Sequence, residues 1–259
     1  MFLIIDILIV AALLLVMLLA QELGRRIGEG DRRRAGGEGN SDDKSSAPAA
    51  GAVYAVLGLL LAFTFSGAGS RYEHRYQLAI DEANAIGTAW LRLDALPAAS
   101  QPPLRDAFRR YVEARIAMSP LGPGSDAYVK ESARFHELQN LIWSGVMDAL
   151  IASGQTPLYG VVLTPINEMI DLTSTRDAAS MLHPPAAVFV MLCVFLVVGA
   201  MYAGHAMAGK PRSRFHMLAF PMVLSLVIFV IVDFEYPRFG FIRLNSVDAM
   251  FVDLRHSMQ

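Results

Sequence analysis

Residues 51–93 read GAVYAVLGLLLAFTFSGAGSRYEHRYQLAIDEANAIGTAWLRL, and this stretch changes character halfway along without a proline to interrupt it. Residues 51–69 are almost all apolar or small, and about 20 such residues in a helix cross the roughly 30 Å hydrocarbon core of a bilayer. From Ser70 onward, apolar residues recur at every third or fourth position, which indicates a helix with one apolar face. The stretch therefore predicts one unbroken helix that leaves a membrane and continues into water.

The composition is that of a membrane protein. Hydrophobic residues make up 54% of the 259 residues and charged residues only 18%, whereas charged residues are about a quarter of a typical soluble domain. The net charge of −2 gives no reason to expect binding to nucleic acid. Four apolar windows are long enough to span a bilayer. They predict transmembrane helices at residues 1–20, 50–69, 186–208 and 215–232.

Between the second and third spans, residues 70–183 are expected to form an extramembrane helical bundle. Its first helix continues the second span. The spacing of apolar residues predicts further helices at residues 102–119, 126–153 and 157–182, with Gly154 as a helix C-cap. No alternating strand pattern competes with these helices, so the predicted fold class is all-α, with four spans and an inserted bundle.

Two further segments lie outside the spans and the bundle. Residues 21–49 are rich in Gly, Ser and charged residues, and we expect a flexible basic linker because such a composition buries no core. Residues 233–259 mix aromatic and basic side chains. That mixture predicts an amphipathic tail that lies along an interface.

The short connections predict the orientation of the chain in the membrane. Residues 21–49 and 209–214, which follow the first and third spans, are both rich in basic residues. Short loops with an excess of Lys and Arg stay in the cytoplasm, and four spans put these two loops on one side. The two loops are therefore predicted to be cytoplasmic, and the bundle and both termini to lie outside.

Polar residues within the second span are candidates for a pore lining. The hydroxyl groups of Thr64, Ser66 and Ser70 can line a water-filled path, and Phe63 or Phe65 can form an apolar constriction that gates by dewetting. The alternative interpretation is that the small and hydroxyl residues of this span serve close packing between helices.

Other polar side chains are candidates for structural or interface roles. Arg75 and Glu82 are two turns apart on the predicted helix, so their partners are expected on neighbouring helices. Glu168 and Asp171 are one turn apart and can bind a cation or share a proton, although such pairs more often form a solvated or ion-paired face. The full set of these candidates is Arg71, Arg75, Glu82, Asn84, Asn167, Glu168, Asp171, Asp233 and Arg243.

The sequence carries no signature of catalysis or of cofactor binding. It has no Gly-rich phosphate loop, no nucleophile elbow and no H-E-x-x-H motif. Its single cysteine, Cys193, lies inside a span, which excludes a disulfide within the chain and a cysteine-based zinc site. We therefore expect no enzyme activity, no cofactor and no bound metal.

Four segments together resemble the bacterial membrane family called bestrophin-like, a family without an established function. The resemblance covers nearly the whole chain apart from residues 21–49. The four segments are LLAFTFSGAGSRYEHRYQLAIDEANAIGTAWLR (60–92), FRRYVEAR (108–115), INEMIDL (166–172) and DFEYPRFGFIRLNS (233–246).

The resemblance extends in layout to the bestrophins, which are pentameric anion channels whose second span lines the pore and runs into a helical domain. It implies a homo-oligomer in the bacterial inner membrane that conducts ions, with Phe63 and Phe65 as candidates for the pore neck. In bestrophins the helical domain is cytosolic, whereas the basic loops of this chain predict a periplasmic bundle. For orientation we follow the loop charges.

Two functions from different classes remain open. The leading hypothesis is a homo-oligomeric ion channel or pore lined by the second span. The alternative is a non-conducting envelope scaffold or sensor whose helical bundle binds a partner. The expected partners are the lipid bilayer, further copies of the chain and, for a channel, inorganic ions.

Overall fold

The computed structural model describes residues 2–34, 42–121, 124–211, 214–237, 241–242 and 245–259. Within these ranges the chain is helical and has no strand, so the predicted all-α fold class is confirmed. A short 3₁₀ helix, Leu93–Ala95, follows the second α-helix. The α-helices are α1 (Phe2–Arg34), α2 (Asp42–Arg92), α3 (Gln101–Met118), α4 (Asp126–Ser153), α5 (Pro157–Met181), α6 (Ala186–Ala206), α7 (Arg214–Glu235) and α8 (Asn245–Ser257).

The chain forms two compact units. The first comprises Met1–Tyr72 and His183–Arg243, and the second comprises Glu73–Leu182 and Leu244–Gln259. Within the described residues, four helical segments are long and apolar enough to cross a membrane, in agreement with the four predicted spans. These segments are Ile7–Arg34, Pro48–Ala95, Pro157–Ala206 and Met217–Glu235.

Helix α2 runs for 51 residues without a break at Ser70, as the sequence of residues 51–93 predicts. Its length is well over twice what a bilayer span requires, at about 1.5 Å per residue and about 30 Å of hydrocarbon. Its residues up to Tyr72 belong to the first unit, and those from Glu73 onward belong to the second. One helix therefore contributes an apolar segment to one unit and a one-sided apolar face to the other.

In the first unit, α1 and α6 pack closely and run in the same direction. A Cβ atom added to Gly24 would overlap the carbonyl oxygen of Met201, and one added to Gly28, a turn later, would press on His205 and Ala208, a turn later on α6. Such a close approach of two backbones requires residues without a side chain at the contact. The C-terminal ends of α1 and α6 therefore lie at the same end of this unit.

The prediction of a flexible linker at residues 21–49 is wrong for most of that range. Helix α1 continues to Arg34, and α2 begins at Asp42. The composition misleads because glycines that suggest a flexible chain are used for packing, as at Gly24 and Gly28.

Ion pairs along α1 add to the stability of its polar end. Glu22 pairs with Arg25 at 3.1 Å and with Arg26 at 3.2 Å, and Arg25 also pairs with Glu29 at 3.0 Å. Pairs of opposite charge three or four residues apart stabilise a helix. The charged residues of this segment therefore support helix formation.

The second unit has its own apolar core, built by the second part of α2 with α3, α4, α5 and α8. Tyr111 stacks on Phe135 with ring centroids 4.4 Å apart, and Trp90 meets Phe108 edge-on at 6.2 Å. All four rings are buried. These aromatic contacts join α2, α3 and α4 across the centre of the bundle.

The ends of α4 agree with the sequence prediction. The helix begins after Ser125, whose hydroxyl accepts a hydrogen bond from the Tyr128 amide at 3.2 Å, and this is a standard N-cap. Gly154 follows the helix with a φ of 65°, in the left-handed region that favours glycine. The prediction of Gly154 as the C-cap is confirmed.

The C-terminal tail differs from the expectation that it lies along an interface. Its last part forms α8, and Val247, Phe251 and Met258 are buried in the core of the second unit. Polar contacts to α3 add to this packing: the Ser119 hydroxyl donates to Asp248 at 2.5 Å, and Arg255 pairs with Glu113. Helix α8 is amphipathic as predicted, but its apolar face packs on α3 instead of lying along an interface.

The close contact of α1 with α6 gives a testable prediction about stability. Gly24→Ala is expected to destabilise the first unit by about 1–3 kcal/mol, because the added methyl group meets the Met201 backbone, which has no flexible end to move aside. Gly30→Ala on the same helix is the matched control, since a Cβ there has no neighbour within 4 Å. Thermal unfolding of the purified protein in detergent measures both, and equal melting temperatures would contradict the close packing.

Candidate functional site

The exposed face of α2 in the first unit carries three of the five pore candidates. Phe63 is 68% exposed, and Ser66 and Ser70 are also exposed. Steps of three and four residues place these three side chains on one side of the helix. An apolar ring and two hydroxyl groups therefore share a surface that the rest of the single chain leaves open.

The other two pore candidates lie elsewhere on the helix. Thr64 is only 7% exposed, and its hydroxyl donates to the carbonyl of Leu60 at 2.7 Å. Phe65 is 43% exposed, and its ring meets Phe234 of α7 edge-on at 5.7 Å. At about 100° per residue, Phe63 and Phe65 are separated by about 200° around the helix axis. The five candidates therefore do not line a single surface.

Arg71 belongs to a polar cluster in the first unit. Its Nε donates to Oε1 of Glu235, at the end of α7, at 2.9 Å. The Glu235 side chain is fully buried, and its other oxygen lies 3.4 Å from Nδ1 of His183. The His183 ring stacks on Tyr236 at 4.8 Å. The cluster ties α2 to the end of α7 and to the residues before α6.

Asp233 holds the chain that follows α7. Its two carboxylate oxygens accept hydrogen bonds from the backbone amides of Phe241 and Ile242, each at 2.8 Å. The side chain is buried, so these two bonds stabilise a charge that would otherwise be costly to bury. Arg243, another candidate, lies outside the described residues.

In the second unit, Glu82 occupies the centre of a buried polar network. Its carboxylate accepts two hydrogen bonds from Arg115 of α3, at 2.8 and 3.0 Å, and a further one from Arg176 of α5. The Thr173 hydroxyl lies 3.4 Å from the same carboxylate and 3.2 Å from the hydroxyl of Tyr111. The partners of Glu82 are on neighbouring helices, as the sequence predicts.

Arg75 has a different structural role. It is buried, and its guanidinium donates to the carbonyl of Ala179 at 3.1 Å and to that of Leu182 at 2.8 Å. The last carbonyl groups of a helix have no partner within the helix. Arg75 therefore satisfies backbone groups at the C-terminal end of α5.

The remaining candidates lie on exposed surfaces. Asn84 is exposed on α2, and Asn167, Glu168 and Asp171 are exposed on α5. The Asn167 amide donates to Asp171 at 2.8 Å, which fits a solvated polar face. Among the described residues, no group of three or more His, Cys, Asp or Glu side chains is placed to hold a metal ion.

Sequence reasoning missed several members of these networks, among them Arg115, Arg176, His183 and Glu235. One signal was available, because Arg115 falls on the apolar face of its predicted helix with Tyr111 and Val112. Arginine is almost never fully buried unless it is paired. An arginine in a helix stripe that faces the core therefore indicates a buried acidic partner.

A family model for the bestrophin-like domain matches residues 8–248 of the chain. The chain belongs to the bestrophin-like family. Comparison with curated protein sequences gives no match. The fold of this bestrophin-like protein is similar to the crystal structure of a mutant bacterial bestrophin homologue from Klebsiella pneumoniae. The TM-score is 0.60, the sequence identity is 16%, and the match covers 93% of this chain and 97% of that one.

Family membership and fold agree with the four apolar segments. The bestrophin-like chain is a multi-pass membrane protein.

The charges around Glu82 shift the ionisation of the network. Burial alone would raise the pKa of Glu82, but Arg115 and Arg176 lower it more, so the pKa lies below its ordinary value. Burial would lower the pKa of Arg115, and Glu82 raises it above its ordinary value. Burial and the nearby Glu82 charge both raise the pKa of Tyr111. The Glu82 carboxylate and the Arg115 guanidinium are therefore charged at neutral pH.

Glu82→Gln is expected to destabilise the second unit by about 3–5 kcal/mol, because Arg115 would stay buried without its counter-charge. Both tryptophans, Trp90 and Trp143, belong to this unit, so intrinsic fluorescence during chemical unfolding of the full-length protein reports on it. Asp81→Asn is the matched control, since this neighbouring carboxylate bonds to Gln77 at the surface. Its expected cost is below about 1 kcal/mol, and a comparable loss in both variants would contradict the assigned role of Glu82.

Comparison of the wild type with Glu82→Gln also tests how the free energy of unfolding depends on pH. The pKa of Glu82 is lower in the folded than in the unfolded chain. Its contribution to the free energy of unfolding is therefore complete above the unfolded pKa, about 4.3, and is lost as the pH falls through the lower folded pKa. Glu82→Gln should flatten this part of the stability profile between about pH 5 and pH 2, and an unchanged slope would count against the lowered pKa.

Proposed function

We propose that this protein is a homo-oligomeric ion channel of the bacterial inner membrane, with a pore lined by the exposed face of α2. The observation that carries the proposal is the alignment of Phe63, Ser66 and Ser70 on one uncovered side of an apolar helix. A single helix per chain cannot enclose a pore, so several copies must each contribute one. The bestrophin-like family and fold support this arrangement.

The chemistry of the proposed lining suits conduction. Hydroxyl groups such as those of Ser66 and Ser70 offer oxygen and hydrogen atoms to ions and water, and a ring of phenylalanine side chains forms a constriction that opens or closes by wetting. Arg71, which follows Ser70, is paired with the buried Glu235. Its charge is therefore largely balanced by a neighbour inside the same unit.

For orientation, we propose that the ends of α1 and α6 face the cytoplasm and that the bundle is periplasmic. The parallel packing of α1 and α6 supports a shared side for the two basic connections, residues 21–49 and 209–214. An excess of Lys and Arg in short connections favours the cytoplasm.

A second candidate function is a non-conducting scaffold or sensor whose bundle binds a partner. Specific support comes from α4, where Leu141 and Ile151 are at least half exposed and Trp143 is partly exposed. Apolar side chains on the surface of an extramembrane unit suit contact with another protein. This alternative requires neither a pore nor any effect of Phe63.

The channel proposal predicts an oligomer in detergent and ion flux in reconstituted liposomes. Phe63→Ala is expected to raise the flux several-fold, because the smaller side chain widens the constriction and makes it wetter. Phe65→Ala is the matched control, an identical change on the opposite side of α2, and is expected to leave the flux near the wild-type value. A monomer, or an oligomer without flux in all three proteins, would reject the channel in favour of the scaffold.

Cysteine labelling tests the orientation. In a Cys193→Ala background, Ser144→Cys places a thiol on the exposed surface of the second unit, and Arg34→Cys places one at the exposed end of α1. In spheroplasts, a membrane-impermeant maleimide is expected to label the first variant directly. The second should react after permeabilisation, and the opposite result would invert the proposed topology.

A further inference from the structure

The polar end of α1 lies at the edge of the apolar part of the first unit. Helix α1 has 33 residues, about 50 Å in length, which exceeds a hydrocarbon core of about 30 Å by roughly 20 Å. Gly24 and Gly28 pack against the last turns of α6, which stay apolar almost to their end. The turns around Gly24 and Gly28 are therefore level with the apolar end of α6, and the residues beyond them extend past it.

Basic side chains outnumber acidic ones at this place, which we call the basic end. Its acidic side chains are Glu22, Glu29 and Asp31. Arg32 of α1 donates a hydrogen bond to the carbonyl of Ala208, just after α6, and Lys210 donates one to the carbonyl of Ala206, the last residue of α6. The basic end comprises Arg25, Arg26, Arg32, Arg33, Arg34 and Lys210.

Three of these arginines extend outward. The side chains of Arg26 and Arg34 are 73% and 87% exposed, and Arg33 is exposed as well. Arg26 pairs with Glu22 on its own helix, and Arg34 is 3.9 Å from Asp31. Exposed pairs of this kind contribute little to stability, so both guanidinium groups can exchange them for another anion.

The same side of α1 changes from apolar to basic along its length. Leu19, Leu23 and Ile27 are large, exposed and four residues apart, and Arg26 and Arg34 continue this side at helical spacing. This order matches a phospholipid, because the apolar side chains are level with the acyl chains and the arginines are level with the phosphate. Arginine side chains at such a boundary lay their apolar stems on the hydrocarbon and direct the guanidinium group to the headgroups.

We propose that the basic end binds the headgroups of anionic phospholipids, with Arg26, Arg33 and Arg34 as the contacts. A guanidinium group donates two parallel hydrogen bonds to a phosphate, and each basic residue near an anionic surface strengthens binding about fivefold. The exposed leucine and isoleucine side chains favour a lipid over free phosphate as the ligand. This binding does not depend on whether the protein conducts ions.

Binding is measured on the purified full-length protein in detergent, by titration with short-chain phosphatidylglycerol, short-chain phosphatidylcholine or inorganic phosphate. The wild type is expected to bind phosphatidylglycerol at least tenfold more tightly than the other two probes. The triple variant Arg26→Gln, Arg33→Gln and Arg34→Gln should lose roughly a hundredfold in affinity for it. Replacement of the same three residues by Lys should retain most of the affinity.

A matched control makes the same charge change elsewhere, as Arg92→Gln, Arg110→Gln and Arg134→Gln at exposed sites of the second unit. This variant is expected to bind phosphatidylglycerol like the wild type. Equal binding of the two lipids, full affinity in the first triple variant, or equal binding of inorganic phosphate would each overturn the proposal. If the triple variant fails to fold, the wild type still decides: a rise in salt from 50 to 500 mM must weaken phosphatidylglycerol binding at least tenfold.

Discussion

Three charged side chains of α2 are directed into the protein, and each must be satisfied within its own unit. Arg71 pairs with Glu235 in the first unit, and in the second unit Arg75 bonds to carbonyl groups of α5 while Glu82 holds two arginines. A buried charge without a partner costs several kcal/mol. A shift of α2 by one residue would break all three sets of contacts, so they fix the register of this helix against its neighbours in each unit.

This constraint also decides which face of α2 is free. Arg71, Arg75 and Glu82 are directed toward neighbouring helices, whereas the face with Phe63, Ser66 and Ser70 remains uncovered in a single chain. The ion pairs stabilise the helix from one side, and the proposed pore uses the other. The paired charges and the proposed pore residues are thus neighbours in sequence but separated around the helix axis.

Glycine has two opposite meanings in this chain. At Gly24 it permits a backbone contact with Met201, and at Gly204 it permits one with Gln21, so the glycines strengthen the packing of α1 on α6. In a flexible linker the same residue would increase disorder. The parallel packing that results also brings the basic residues of α1 to the end of α6. The proposed contact with anionic lipids therefore depends on the close packing that these glycines allow.

The sequence by itself determined the helices α3, α4 and α5, the four apolar segments, the unbroken course of α2 through Ser70 and the cap at Gly154. Each of these follows from the periodicity and composition of neighbouring residues, which act over a few turns of helix. Even the position of Phe63 and Phe65 on opposite sides of α2 follows from their being two residues apart on a helix.

Only the tertiary structure decided which partner each charge finds and which face of α2 is covered. Glu82 and Arg115 are 33 residues apart in the chain, and Arg71 and Glu235 are 164 apart. Local periodicity carries no information about such distant pairs, because they form only when whole helices pack in one register. For the same reason, the packing role of Gly24 and Gly28 in α1 is visible only in the tertiary structure, where these glycines contact α6.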